Sequence, residues 1–186
     1  FEEYDNVSFW FDVKDLPEYN AKKLDVSSRA MKIFFASDTA VVSLKAIDSP
    51  LFAYATSKNY HERYSRGFSF YGSTLLEEVR RYGFFAAKLA SEEKFDIVHA
   101  HDWLSFPAGI EASQASGKPL VVQVHATEFD RTGGNSINQQ VYEIEREGME
   151  RADSVIAVSE YTKNVITRHY GIDPSKITVV HNGINK

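Results

Sequence analysis

Phe95-Asp-Ile-Val-His-Ala-His-Asp-Trp103 begins as a short apolar run and ends in two histidines, an aspartate and a tryptophan. About twenty residues later the plan recurs as Pro119-Leu-Val-Val-Gln-Val-His-Ala-Thr-Glu-Phe-Asp-Arg131. Twice an apolar run delivers a histidine at or near its carboxyl end, with ionisable residues behind it. Ligands of parallel α/β sheets bind just beyond the carboxyl ends of strands. Two such ends loaded with polar groups therefore read as one site.

The pattern extends outward from these two strands. Thr74-x-x-Glu77 is a capping box, and Leu75, Val79, Tyr82, Ala86 and Leu89 follow on one helical face. A strand is predicted over 95–98. Pro107 and Gly117 bracket a short helix over 108–115. Leu120 to Val124 is a β-branched run apolar enough for burial on both faces. A helix follows over 140–151, with Glu147 and Arg151 as an i,i+4 pair. Strands at 154–158 and 177–180 flank a helix that Ser159 caps and Gly171 ends. Alternation at this spacing means βαβ units and a parallel sheet. The expected fold class is α/β, a Rossmann-like parallel sheet with helices on both faces.

Earlier residues are less regular. Val7 to Val13, Met31 to Ala36 and Val41 to Ile47 are candidate strands. The stretch 49–72 is polar and aromatic, with Phe52, Tyr54, Tyr60, Tyr64, Phe68, Phe70 and Tyr71, and reads as a long excursion with short helices. No repeat, low-complexity tract or linker divides the chain, so residues 1–186 are expected to form a single domain.

Composition narrows the functional classes. Hydrophobic residues make up 43% and charged residues 25% of the 186 residues, as in ordinary globular proteins. The formal net charge of -5, without a basic run, argues against a nucleic-acid platform. Cysteine is absent, which excludes disulfides, thiolate metal sites and a cysteine nucleophile. No apolar run approaches the roughly 20 residues of a membrane span, and there is no signal-peptide pattern. The default localisation is cytoplasmic. No Gly-x-Gly-x-x-Gly is present, which disfavours a dehydrogenase.

A single helix joins the two histidine-bearing strands, so a right-handed crossover places both carboxyl ends on one sheet edge. His99 and His101, two apart, face the same side of an extended chain. His101, Asp102, His125, Thr127 and Glu128 are expected to converge there, and the strand at 154–158 brings Ser159 to the same edge. Each also has a plain structural role open to it. His99 reads as structural. Asp102 can bond backbone groups, Trp103 can pack, Arg131 can pair with Asp130 or Glu128, and Ser159 can cap its helix.

FDIVHAHDW, the following FPAG, VQVHATEFDR, YEIEREGMERADSVIAVSEYTKNVI and ITVVHNGIN together resemble the amino-terminal domain of family 4 retaining glycosyltransferases. These include glycogen and starch synthases. The resemblance covers about Asp48 to Asn185. It implies one half of a GT-B fold, the half that mainly holds a carbohydrate or other hydroxyl acceptor. The nucleotide-sugar, a co-substrate, would be held mainly by a carboxyl-terminal donor domain, and no resident cofactor or metal is implied. In the resemblance His101 faces the reacting sugar, while Asp102, Trp103, His125, Thr127, Glu128, Arg131 and Ser159 are candidates for substrate binding. The sequence departs from the family in two places. It stops at Lys186, where the family's domain boundary falls, so the donor domain is expected to lie outside it. It also has no glycine before Gly67, so the family's opening strand and Gly-rich loop, a first βα unit, are expected to be missing. Two rival readings remain: a metal-dependent hydrolase with His99, His101 and His125 as ligands, and a non-catalytic carbohydrate-binding module.

Overall fold

A computed structural model of the chain describes residues 7–11, 30–37, 40–49, 51, 57–64 and 74–183. Its strands are β1 (Val7–Phe11), β2 (Ala30–Ser37), β3 (Ala40–Asp48), β4 (Ile97–His101), β5 (Leu120–Val124), β6 (Ser154–Ala157) and β7 (Ile177–Val179). The helices are α1 (Ser57–Tyr64), α2 (Leu75–Glu92), α3 (Asp102–Ser116), α4 (Glu128–Thr132), α5 (Gln139–Arg151) and α6 (Glu160–Val165). α6 runs on into a π-helical turn, Ile166–Tyr170.

The strands form one sheet in the order β3-β2-β1-β4-β5-β6-β7. β4 to β7 are mutually parallel, as the crossover reasoning requires. This is a Rossmann-like α/β arrangement. β2 pairs antiparallel with both β1 and β3. The place beside β4 is taken by β1, which runs parallel to it. Of the aromatic excursion, α1 is described and Tyr60 is buried in the core. Phe52, Tyr54, Phe68, Phe70 and Tyr71 lie outside the described residues.

β4 begins and ends later than the pattern suggested, so both histidines lie within the strand rather than after it. Phe95 is buried beneath its start, and pairing begins where the Val98 N–H donates to the Pro119 carbonyl. α3 starts six residues earlier than Pro107 implied, directly at the strand's end. The turn is made by Asp102, whose φ of 57° lies in the left-handed region and removes the need for a loop. Pro107 consequently sits inside the helix, where it has no N–H to give the carbonyl of residue 103.

β5 is not buried on both faces. Leu120, Val122 and Val124 are buried, whereas Val121 and Gln123 are half-buried. The buried set continues across the sheet as Val98, Ala100, Val155 and Ala157. Strands that follow one another in a single direction across a sheet place their right-handed crossovers on one face. α3 lies on the face of the buried set. A Cβ on its Gly109 would sit 2.8 Å from the Ala100 Cβ and 2.9 Å from the Leu120 Cδ1, so only glycine allows this approach. α5 presses on α3 in the same way, with Gly148 against the Phe106 ring.

α2 closes the layer against α3. The Thr74 hydroxyl accepts from the Glu77 N–H, and Leu75, Val79, Tyr82 and Ala86 are buried, as the periodicity predicts. The buried Glu78 carboxylate is held by Arg81 and by the Ser49 hydroxyl at the end of β3. Among the described residues, no helix is long and apolar enough to cross a membrane.

Candidate functional site

The β4–β5 register places His101 opposite Gln123. Beyond that pair β5 ends at Val124 and the chain passes to His125, while β4 turns into α3. The side chains of His99 and His101 share the face opposite the α3 layer, because they alternate with Val98 and Ala100. Their ring centroids are 4.4 Å apart. His101 Nδ1 lies 3.1 Å from His125 Nε2, a hydrogen bond between rings that are nearly parallel. The expected convergence of the two strand ends is therefore direct contact.

Burial sets the protonation of this cluster. Burial, reinforced by His125 and opposed by a hydrogen bond with Gln123, lowers His99 to about 4. Burial likewise holds His101 well below the usual imidazole range, reinforced by its neighbours His99 and His125. Both rings are neutral near pH 7, and a neutral imidazole offers one donor and one acceptor.

Asp102 stands between the strand ends. Its Oδ1 accepts the backbone N–H of His125 at 2.8 Å. Burial raises its pKa, while the His125 side chain and backbone N–H, Arg131 and the Ala126 N–H pull it back. The Ser105 hydroxyl donates to the carbonyls of His101 (2.5 Å) and Asp102 (3.2 Å), adding a side-chain donor to the first turn of α3. Trp103 is buried in the core beside Leu104 and Phe106.

The loop after β5 forms α4, which periodicity did not suggest. Thr127 is fully buried and caps it: its hydroxyl accepts from the Asp130 N–H, and the Asp130 carboxylate accepts from the Thr127 N–H. This occupies Asp130, so Arg131 pairs with Glu128 at 3.2 Å and with Glu145 of α5. Glu145 also accepts from the Glu128 N–H and from the Tyr170 hydroxyl of the π-helical turn. Glu128 in turn accepts the Asn138 N–H at 3.0 Å. Arg131 reaches the Ala126 carbonyl as well. Burial raises the Glu145 pKa, and Arg131, Tyr170 and the Glu128 N–H oppose the rise. Burial disfavours the Arg131 charge, but Glu145 and Glu128 more than offset it and its pKa is raised.

Glu145 and Tyr170 were not expected at the site. One signal for Glu145 was present: Val141, Glu145 and Met149 share a helix face at i,i+4 spacing, and all three are buried. An acid on a buried stripe demands partners. Ser159 lies one strand further along the edge and caps α6 by accepting the Thr162 N–H at 3.0 Å.

Thr127, Glu128, Arg131 and Ser159 thus build the loops around the site, while His101, His125 and Asp102 form its contact point. The zinc reading needs three donors converging on one ion. Here two of the three histidines bond each other, and among the described residues no three His, Asp or Glu side chains are grouped to hold a metal.

Residues 43–186 match the model of Glycosyltransferase Family 4. The chain belongs to that family. It is similar to the glycogen synthase of Mycobacterium tuberculosis, with 34% identity over 110 residues, 56% of this chain and 27% of that protein. The alpha-maltose-1-phosphate synthase of Mycolicibacterium smegmatis is 37% identical over 101 residues, 50% of this chain and 25% of its own. The D-inositol 3-phosphate glycosyltransferase of Streptomyces coelicolor is 33% identical over 96 residues, 49% and 21% of the two chains. The match thus spans about a quarter of these relatives' length. Among solved structures, a glycosyltransferase from Rickettsia africae aligns with a TM-score of 0.45 at 17% identity, over 70% of this chain and 33% of that one.

Proposed function

We propose that this chain is the acceptor-side domain of a retaining glycosyltransferase, which moves a sugar from a nucleotide-sugar to a hydroxyl of a carbohydrate or other acceptor. The observation that carries the reading is the His101–His125 contact at the carboxyl edge of the parallel sheet, in a chain of this family. In the reaction, the bond from the anomeric carbon to the diphosphate oxygen breaks. The acceptor oxygen bonds the same carbon from the same face, and its proton leaves with the departing diphosphate. No resident cofactor is needed, because the nucleotide-sugar brings the leaving group.

His101 is the residue proposed to face the transferred sugar. A neutral ring can hydrogen-bond a sugar hydroxyl without placing a second cation beside an oxocarbenium-like centre. Such a contact accelerates transfer only where it strengthens with developing charge. Asp102, His125, Thr127, Glu128, Arg131 and Ser159 shape the surrounding edge, and Trp103 supports it from the core. The diphosphate needs a helix amino terminus and basic side chains, assigned here to a second domain outside this chain.

The test uses the full-length protein carrying this chain, with a transfer assay across nucleotide-sugars and glycans. His101→Ala is expected to lower kcat while the donor KM stays nearly constant. Loss through donor binding alone would remove His101 from the reacting sugar. The isolated chain is expected to show no turnover and only weak acceptor affinity in calorimetry, roughly millimolar, from a few hydrogen bonds of about 1 kcal/mol each. Tight nucleotide-sugar binding by the isolated chain would place the donor site in the wrong half.

A further inference from the structure

We infer that Asp102 and His125 are positioning residues that fix the ring orientation and tautomer of His101, rather than contacts to substrate. For its effect on turnover the inference rests on the function proposed above; the geometry that carries it does not.

Three observations meet at Asp102. First, its φ of 57° is a left-handed conformation that a non-glycine residue holds only against strain. Second, its Oδ1 is already engaged by the His125 N–H at 2.8 Å, so the carboxylate is turned toward the end of β5. Third, the residue whose backbone it holds presents Nε2 to His101 Nδ1 at 3.1 Å. β4 and β5 separate beyond the His101–Gln123 pair, and the carboxylate spans the opening. The strain and the latch are one device, since only a left-handed residue at 102 aims its side chain across to β5 while the chain turns into α3.

The consequence for His101 is a matter of proton count. Across the hydrogen bond between the two rings only one of the facing nitrogens carries a proton. The state of His125 Nε2 therefore dictates the state of His101 Nδ1, and so of His101 Nε2 on the far side of the ring. A ring so held carries either a donor or an acceptor at Nε2, not an average of the two. Release the latch, and both the distance and the tautomer become free.

The test pairs Asp102→Gly with Asp102→Asn. Glycine suits the left-handed turn and removes the acceptor, so this variant folds without the latch. Asparagine tolerates the same turn and keeps an Oδ1 acceptor. In the chain with 15N-labelled histidine, the parent is expected to give His101 ring-nitrogen signals of a single tautomer at pH 7.5. Asp102→Gly should move them toward tautomer-averaged values, and Asp102→Asn should restore them. In the full-length protein, Asp102→Gly should lower kcat by roughly tenfold to a hundredfold with little change in acceptor KM, and Asp102→Asn should recover most of that loss. Unchanged His101 signals in Asp102→Gly would overturn the inference. So would an Asp102→Asn variant as impaired as Asp102→Gly, because the carboxylate charge would then matter at the substrate. A full-length protein that transfers no sugar would refute the functional reading, and the spectra would still decide the positioning role.

Discussion

The histidines at the ends of β4 and β5 and the Glu128–Arg131–Glu145–Tyr170 network border the same loop, and each has buried members: His99 in the first, Glu128, Glu145 and Tyr170 in the second. The histidine cluster meets burial by giving up charge: His99 and His101 are lowered until they are neutral. The network keeps an arginine between two carboxylates and closes each valence with a backbone N–H, a carbonyl or a tyrosine hydroxyl. A neutral ring carries one donor and one acceptor and no charge that must be paired. The charged network is committed to its own partners. The network thus holds the shape of the loop, and the histidine cluster beside it is the candidate site.

Removing one member of the network should have the largest effect. Glu145→Ala leaves Arg131 with one carboxylate, Glu128, and deprives the Glu128 N–H and the Tyr170 hydroxyl of their acceptor. Loss of one partner from a buried ion pair costs about 3–5 kcal/mol, to be read from denaturant melts of the chain. A loss below about 1 kcal/mol would mean that the network is solvated and the contrast with the histidines is false.

Acid should act next, and on the histidine side. The folded pKa of His99, about 4, lies below its ordinary 6.5. Under acid the unfolded chain takes up a proton that the folded ring refuses. The contribution is complete above pH 6.5, falls as pH drops toward 4, and levels off below. At about 1.4 kcal/mol per pH unit, the fall is about 3 kcal/mol. A His99→Asn variant should lack this component of the slope in melts at pH 7.5, 5.5 and 4.5. An unaltered slope would show that the ring is not held neutral by its surroundings.

The two regions are joined through α3 and α5, so Gly148→Ala should strain both. The added Cβ would lie 2.8 Å from the Phe106 Cβ and force the helices apart. Overpacking of this kind costs about 1–3 kcal/mol, and it should shift the His101 and Tyr170 side-chain resonances together. Movement of one set alone would separate the regions mechanically.

The smallest effect belongs to the exposed face of α5, where Glu147 and Arg151 pair at 2.9 Å with about half of each side chain in solvent. Arg151→Ala should cost about 0.3–0.5 kcal/mol, a baseline showing that burial rather than pairing gives Glu145 its weight.

The sequence by itself determined the alternation of elements, the parallel course of β4 to β7 and the convergence of His101 and His125. Each follows from a local period or a cap, and right-handed crossovers leave few ways to connect them. Tertiary structure decided the rest. Leu120 to Val124 reads as apolar throughout, and only the layer of α3 on one side of the sheet shows which residues are covered. Pro107 signals a helix start, yet the left-handed Asp102 moved that start to the strand's end, a choice made by the distant N–H of His125. Arg131 carried a local pairing signal for Asp130 or Glu128; Glu128 takes it, Asp130 is taken by the Thr127 cap, and Glu145 arrives from another helix. Local propensity is written in neighbouring residues. The partner of a buried charge is set by which elements pack together, and no spacing along the chain records that.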